Sequence, residues 1–497
     1  MKKYIFLLIN VFIFFSHNVN AVIDMHSTFL TTNDGLGNNF VRHIFQDSKG
    51  FIWMSTINGL TRYDGHSFVT FLPDKKEKVS LIDYHVVNVT EDKNNLLWMR
   101  VSPEYFSCYD LQHECFVDFT GCGEQGKKFN IRYEASNRDT WLSETNGGCR
   151  CITYKDGKFH SSFFNEKNGR LMSNNVSQIK EDSNGNIWIS TSKGLVKIAN
   201  NQSVIMNKDI SIVDIEFYKD KVFLLSNKYD VYKTNLNGTR LELICRLTNV
   251  KNLDKINSSF LFHDKWIVLT KSQGYVFSLK DEKQIPNDIF NLPNLQYSID
   301  KHGNVCLFND KGIIRYINKK TGHVKELNIP IKEKVTDQWC KVIQDSRGWV
   351  WFVTFGYGLY VYNPVVDEIV HYTYQINKQN YICSNSLAHI FEDKSGGIWI
   401  TSESAGISLL TVLNDKVTYL YPENKSNIDN SNSVRLIQRM NNGEIWIGNR
   451  AGDLYRFNSD LTQQIQKKHF ESSIYALLQE TNGNVWYGSR GNGVSIN

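Results

Sequence analysis

Nine cysteines are the residues of this chain best equipped for covalent or metal chemistry, and five of them, Cys108, Cys115, Cys122, Cys149 and Cys151, fall near one another. In "FSCYDLQHECF" the turn "DLQHE" brings Cys108 and Cys115 onto facing strands, as a disulfide requires. Buried free thiols in strands fit the same residues equally well, and the odd count leaves one thiol unpaired. Cys149-x-Cys151 has no second CxxC and no zinc-spaced His pair beside it, so no metal site and no cofactor are expected. Carboxylates could supply acid and base groups, but general acid–base catalysis needs two of them converging in one pocket. The prominent acids Asp47, Asp182, Asp345 and Asp393 instead recur at one place in a repeated phrase, which points to a folding role and away from an enzyme.

That phrase supplies the architecture. "DSKGFIWMSTINGL" from Asp47 returns as "DSNGNIWISTSKGL" from Asp182, "DSRGWVWFVTFGYGL" from Asp345 and "DKSGGIWITSESAGI" from Asp393. Aligned on the residue after the turn, the units fall at Trp53, Trp98, Trp141, Trp188, Phe223, Ile267 (beside Trp266), Cys306, Trp351, Trp399, Trp446 and Trp486. Each unit reads as a strand, a polar turn with glycine, an apolar strand, a second turn and two further strands, and recurrence at forty-odd residues marks β-propeller blades. The second strand of a blade is buried on both faces, so Trp53, Trp98, Trp141, Trp188, Trp351, Trp399, Trp446 and Trp486 are expected to fill the gaps between blades. Blades with Phe223, Ile267 or Cys306 at that place are expected to be less regular.

The first 21 residues read as an export signal: Lys2-Lys3, an apolar run from Tyr4 to Phe15, and the small-residue cleavage site Val19-Asn20-Ala21. Removing it takes the net charge from +5 to about +3, too weak for a nucleic-acid binder, which concentrates basic residues on one face. No later stretch approaches a membrane span. The expected fold is all-β: a seven-bladed propeller over 22–330, then an incomplete second propeller of about four blades over 331–497, truncated inside its last unit at "NVWYGSRGNGVSIN".

The opening "LTTNDGLGNNFVRHIFQDSKGFIWMSTINGLTRYDGHSF" resembles the regulator-propeller repeat of the periplasmic sensor region in hybrid two-component histidine kinases of gut Bacteroides and relatives. The likeness rests on "DGLGNN", "QDSKGFIW" and "NGLTRYDG" and on their echoes along the chain. It implies two seven-bladed propellers, a small β-sandwich, a transmembrane helix, a kinase, a receiver and a DNA-binding module in the full-length protein. It also implies dimerisation, an oligosaccharide ligand and control of glycan-utilisation genes. The kinase part, the membrane segment and any contact with nucleic acid lie outside this chain, whose expected location is the periplasm.

A sugar is held by aromatic faces and planar hydrogen-bonding side chains, and Arg42, His43, Trp339, Arg347, Trp349, Tyr357 and Arg435 are the candidates in loops and blade entries. Packing for the aromatics and solvated strand starts for the arginines are the competing readings. Two other functions stand against the sensor: an extracellular propeller lyase or glycosidase, and a non-signalling product, either a truncated fragment or a propeller scaffold whose partner is another protein.

Overall fold

The computed structural model describes residues 25–496, except 78, 103, 119–127, 156–157, 201, 209, 239, 251–253, 332–338, 377–379, 413–419 and 421–432. The proposed export signal and Cys122 therefore lie outside the described residues. All strand pairing between named strands is antiparallel, and the strands form four-stranded sheets with one three-stranded exception. The chain divides into two compact units, 1–412 and 413–497.

In the first unit, eight blades are continuous in sequence: 41–71, 86–117, 129–164, 176–208, 212–246, 256–285, 296–328 and 340–372. The ninth takes three strands from 387–412 and its outermost strand from the other end of the unit. Met25–Leu30 pairs with Ile407–Val412, in register from Met25 opposite Val412 to Leu30 opposite Ile407.

Nine apolar clusters account for the packing, one at each junction between neighbouring blades. Trp53 and Leu60 of blade 1 meet Val89 and Leu97 of blade 2, and so on round the unit. The last cluster joins Trp399 and Ile407 of blade 9 to Val41, Ile44 and Met54 of blade 1. The ring is closed.

The expected boundary at 330/331 is thereby corrected. Cys306 and Tyr316 of blade 7 pack directly on Cys340 and Phe352 of blade 8, so that point falls between consecutive blades of one ring. The repeat spacing gave the blades; it carried no information on which of them the amino-terminal strand would join. The second unit holds one four-stranded sheet, 434–469, and one three-stranded sheet, 474–496.

The repeated phrase is a hydrogen-bonded device. Asp47 Oδ1 accepts the Phe51 amide at 2.9 Å while Oδ2 accepts the Trp53 indole N–H at 2.7 Å. The Gly50 amide donates to the Asp47 carbonyl at 3.1 Å with φ +98°, a conformation that residues with a Cβ seldom adopt. The same tie joins Asp92 to Trp98, Asp182 to Trp188 and Asp345 to Trp351, each at 2.8 Å, and Asp393 to Trp399 at 2.7 Å. Burial alone would raise the Asp182 carboxyl; hydrogen bonds from Trp188 and Asn186 outweigh it and hold the group below its ordinary value. Above the indole, on the third strand, sits a cation: Arg62 stands directly opposite Trp53 and Lys197 opposite Trp188, 5.8 and 5.6 Å from the ring centroids.

Blades 5, 6 and 7 were expected to be irregular, yet each keeps four strands in the common order. Only the turn and the plug change. In blade 7, Asp300 still accepts the His302 and Asn304 amides, and its second oxygen takes the Asn304 side chain at 2.8 Å where an indole would reach.

All described cysteines are free thiols. The hairpin register sets Cys108 opposite Val117 and Cys115 opposite Asp110, so the two form no disulfide; Cys108 is the buried free thiol of the second reading, whereas Cys115 is free but exposed. Burial pushes the Cys151 thiol up to about 12 and the Cys149 thiol higher still, which keeps both protonated.

Candidate functional site

At six of the nine junctions of the ring the first strands are the elements through which neighbouring blades approach most closely, while fourth strands such as Glu368–Tyr372 are largely exposed. The first strands therefore surround the axis. Along each, one position is set by a common register: the residue paired with the second residue beyond the blade plug. His43 pairs with Ser55, Asn88 with Arg100, Ile131 with Ser143, Gln178 with Ser190 and Asp214 with Leu225. The circuit continues with Ser258 opposite Leu269, Gln296 opposite Phe308, Lys341 opposite Val353 and His389 opposite Thr401. In six of these strands, those of His43, Asn88, Gln178, Asp214, Ser258 and His389, a register shift immediately precedes the residue and the Ile131 strand shares it, a bulge that re-aims the side chain. Eight of the nine are polar or charged, and apart from Asp214 they are half-buried. A fold whose blades are glued by apolar faces thus presents a polar circle at one level of its axis.

The circle has two dissimilar arcs. On one, Asp214 is saturated: its carboxylate receives Gln178 at 3.2 Å, Ser259 at 2.6 Å, the Trp266 indole at 3.2 Å and the Lys180 ammonium at 3.2 Å. Lys180 also pairs with Glu216 at 2.8 Å; burial nonetheless leaves the Glu216 carboxyl above its ordinary value.

On the other arc, blades 8, 9 and 1 place Lys341, His389 and His43 side by side. The His43 and His389 rings lie 4.5 Å apart, tilted by 50°. The Nδ1 atoms of both are shut off from solvent and have no hydrogen-bond partner. Burial first and the Lys341 charge second lower His43 to about 4. His389 is held well below its ordinary value by burial, then by His43 and Lys341, and burial lowers Lys341 too. Near this arc, His85 is also lowered, by burial and by Arg42, with Asp83 opposing.

Of the residues singled out from sequence, His43 lies on this arc, and Arg42 is exposed beside it, 5.1 Å over the Phe40 ring. Trp339 is core: its indole donates to the Asn309 carbonyl at 2.9 Å and it packs on Phe308 and Tyr357. Trp349 and Tyr357 pack against the neighbouring cores, and Arg347 is ion-paired with Asp345 of its own turn at 2.9 Å. Arg435 is exposed in the second unit. The structure does not gather these residues into one site. Lys341 and His389 were missed, although a signal existed: each is the tenth residue before its blade tryptophan (341 and 351, 389 and 399), as His43 is before Trp53. The described residues hold no cluster of potential metal ligands.

Several solved structures cover 95% of this chain. Two are extracellular domains from B. thetaiotaomicron, one of a one component system (16% identity, 71% of that chain, TM-score 0.36) and one of a hybrid two component system (19%, 77%, 0.26). A third is PorZ, a surface component of the type-IX secretion system of Porphyromonas gingivalis (10%, 80%, 0.31). No curated protein matches the chain in sequence. The model of the two component regulator propeller family matches residues 35–58 and 170–193, which run through the first two strands of blades 1 and 4. The chain is a β-propeller protein that carries two-component regulator propeller repeats.

Proposed function

We propose that this chain is the ligand-sensing region of a periplasmic two-component sensor, that its ligand is an oligosaccharide, and that binding regulates glycan-utilisation genes. The observation that carries the reading is the polar circle on the axis of a ring whose first and fourth blades match the regulator-propeller repeat. Blade walls held by nine apolar junctions keep such a circle in place, and binding sites sit preferentially on preformed concave surfaces with a few convergent polar groups. No described helix is long and apolar enough to cross a membrane, so a transmembrane signal would need a segment outside the described residues.

The carboxylates suit sensing better than catalysis. Those of the repeated turns are committed to indoles, and Asp214 and Glu216 are committed to Lys180. Dimerisation, as in the full-length family, is part of the proposal. The test is a panel of plant and host oligosaccharides against the thermal midpoint of the purified protein. One saccharide raising the midpoint in a saturable way supports sensing. Release of reducing ends from a polysaccharide would replace it with the enzyme reading, and a silent panel would leave the scaffold reading ahead.

A further inference from the structure

We propose that Cys306 and Cys340 form a disulfide that staples blade 7 to blade 8 of the ring when the chain folds in an oxidising compartment. Two positions recur at the blade junctions. One is the plug of the second strand; the other is the entry residue of the next blade's first strand, which pairs with the third residue beyond that blade's own plug. Trp53 shares an apolar cluster with Val86, Trp188 with Ile212 and Trp351 with Leu387. The same two positions share a cluster at four other junctions, and none of these seven carries a cysteine at either place. Between blades 7 and 8 both change together: the plug is Cys306 and the entry residue is Cys340. A small plug alone would call for a larger neighbour to keep the junction filled. A second small residue, and a thiol, is instead what a sulfur–sulfur bond needs.

The two side chains meet. Both are fully buried in one cluster, and their thiols share a hydrogen bond. Burial first and Cys340 second push the Cys306 thiol well up, so in the folded chain it stays protonated and does not exchange. The bond therefore forms before the junction shuts, while both thiols are within reach. The signal read at residues 1–21 would send the chain to fold where disulfide carriers act. One cysteine thiolate attacks the carrier's disulfide and expels a carrier thiolate; the other attacks the protein sulfur of the mixed disulfide and expels the second. The carrier gains both electrons, and the two protons lost by the cysteines end on its thiols. Cys306 and Cys340 lie one blade apart along the chain, a loop that closes at modest entropic cost. Once made, the bond is shielded from reductants by the packing that surrounds it.

The test makes the chain in one bacterial host by two routes, exported to the periplasm behind a host signal and retained in the cytosol without residues 1–21. Each product is quenched in acid, labelled with N-ethylmaleimide and mapped by mass spectrometry without reduction. The exported protein should yield two peptides joined through Cys306 and Cys340, lighter by two hydrogens than the separate peptides and released by reductant. The cytosolic protein should carry the label on both cysteines. The urea midpoint of the exported protein should lie roughly 0.5–1 M above that of the cytosolic one. In C306A/C340V, where the second change takes the residue type of the Val41 and Val86 entries, both routes should give the same midpoint. Label on both cysteines of an exported protein that is folded by circular dichroism overturns the proposal. So does either cysteine bonded chiefly to a different one, or a midpoint difference that persists in C306A/C340V.

Discussion

The closed ring and the second unit are written in the same repeat, yet they bury it differently. Within the ring, Trp53 and Trp351 are fully buried and inner strands alternate buried with half-buried residues. In the second unit Trp446 keeps 8% of its surface, Trp486 is half-buried, and Ile437, Leu478 and Val494 stand 64%, 65% and 68% exposed. The local device survives in both: the Trp486 indole donates to Glu480 at 2.7 Å as Trp53 does to Asp47. The turn and its indole are thus properties of one blade, whereas burial is a property of a pair. The axial position differs as well. The ring sets mostly polar residues there, and the second unit has Leu436 and Ala476.

The largest test of that contrast removes Met25–Leu30. Met25 and Leu30 belong to the clusters on both sides of blade 9, so at about 2–3 kcal/mol per buried side chain the loss is on the order of 5 kcal/mol, seen as a lower urea midpoint. An unchanged midpoint would mean that the ring does not need its closing strand. Next, Trp351→Ala should cost about 3–5 kcal/mol, and Trp486→Ala in the second unit roughly 1 kcal/mol. Equal costs would erase the distinction between the plugs of the ring and those of the second unit.

Acid should loosen the ring at its basic arc. His43 is lowered in the folded chain, so the unfolded chain binds more protons between about pH 6.5 and 4, and stability falls as pH drops through that window. From pH 7 to 5 the loss is on the order of 2 kcal/mol, and H43Q/H389Q should flatten that part of the urea-midpoint profile. A smaller effect, about 1 kcal/mol, is expected for Asp47→Asn, which keeps the turn but weakens the indole tie. Smallest of all, Leu478→Ser should stay within about 0.5 kcal/mol, because its side chain already meets water.

The blades were legible because their cause is local. Asp, Gly and Trp at fixed spacing specify a turn whose hydrogen bonds close within seven residues, from Asp47 to Trp53. Ring size was not legible, since it depends on Met25–Leu30 finding Ile407–Val412, a pairing that no spacing announces. The axial circle lies between these cases. His43 stood out as a polar residue at a strand start, but Lys341 and His389 gain meaning only when the repeats are laid over one another and the register is known. Trp339 and Trp349 failed as candidates for the converse reason, for an aromatic beside a turn looks the same in sequence whether it meets a ligand or the next blade.

Because the ring's last sheet takes its outermost strand from Met25–Leu30, that segment must wait, unmated, while nearly four hundred later residues are synthesised. Until then its edge is open to any passing strand, and a second copy of the chain could supply the partner as readily as its own tail. Refolding yield should therefore fall steeply with protein concentration, a cost imposed by the order in which the polymer is made.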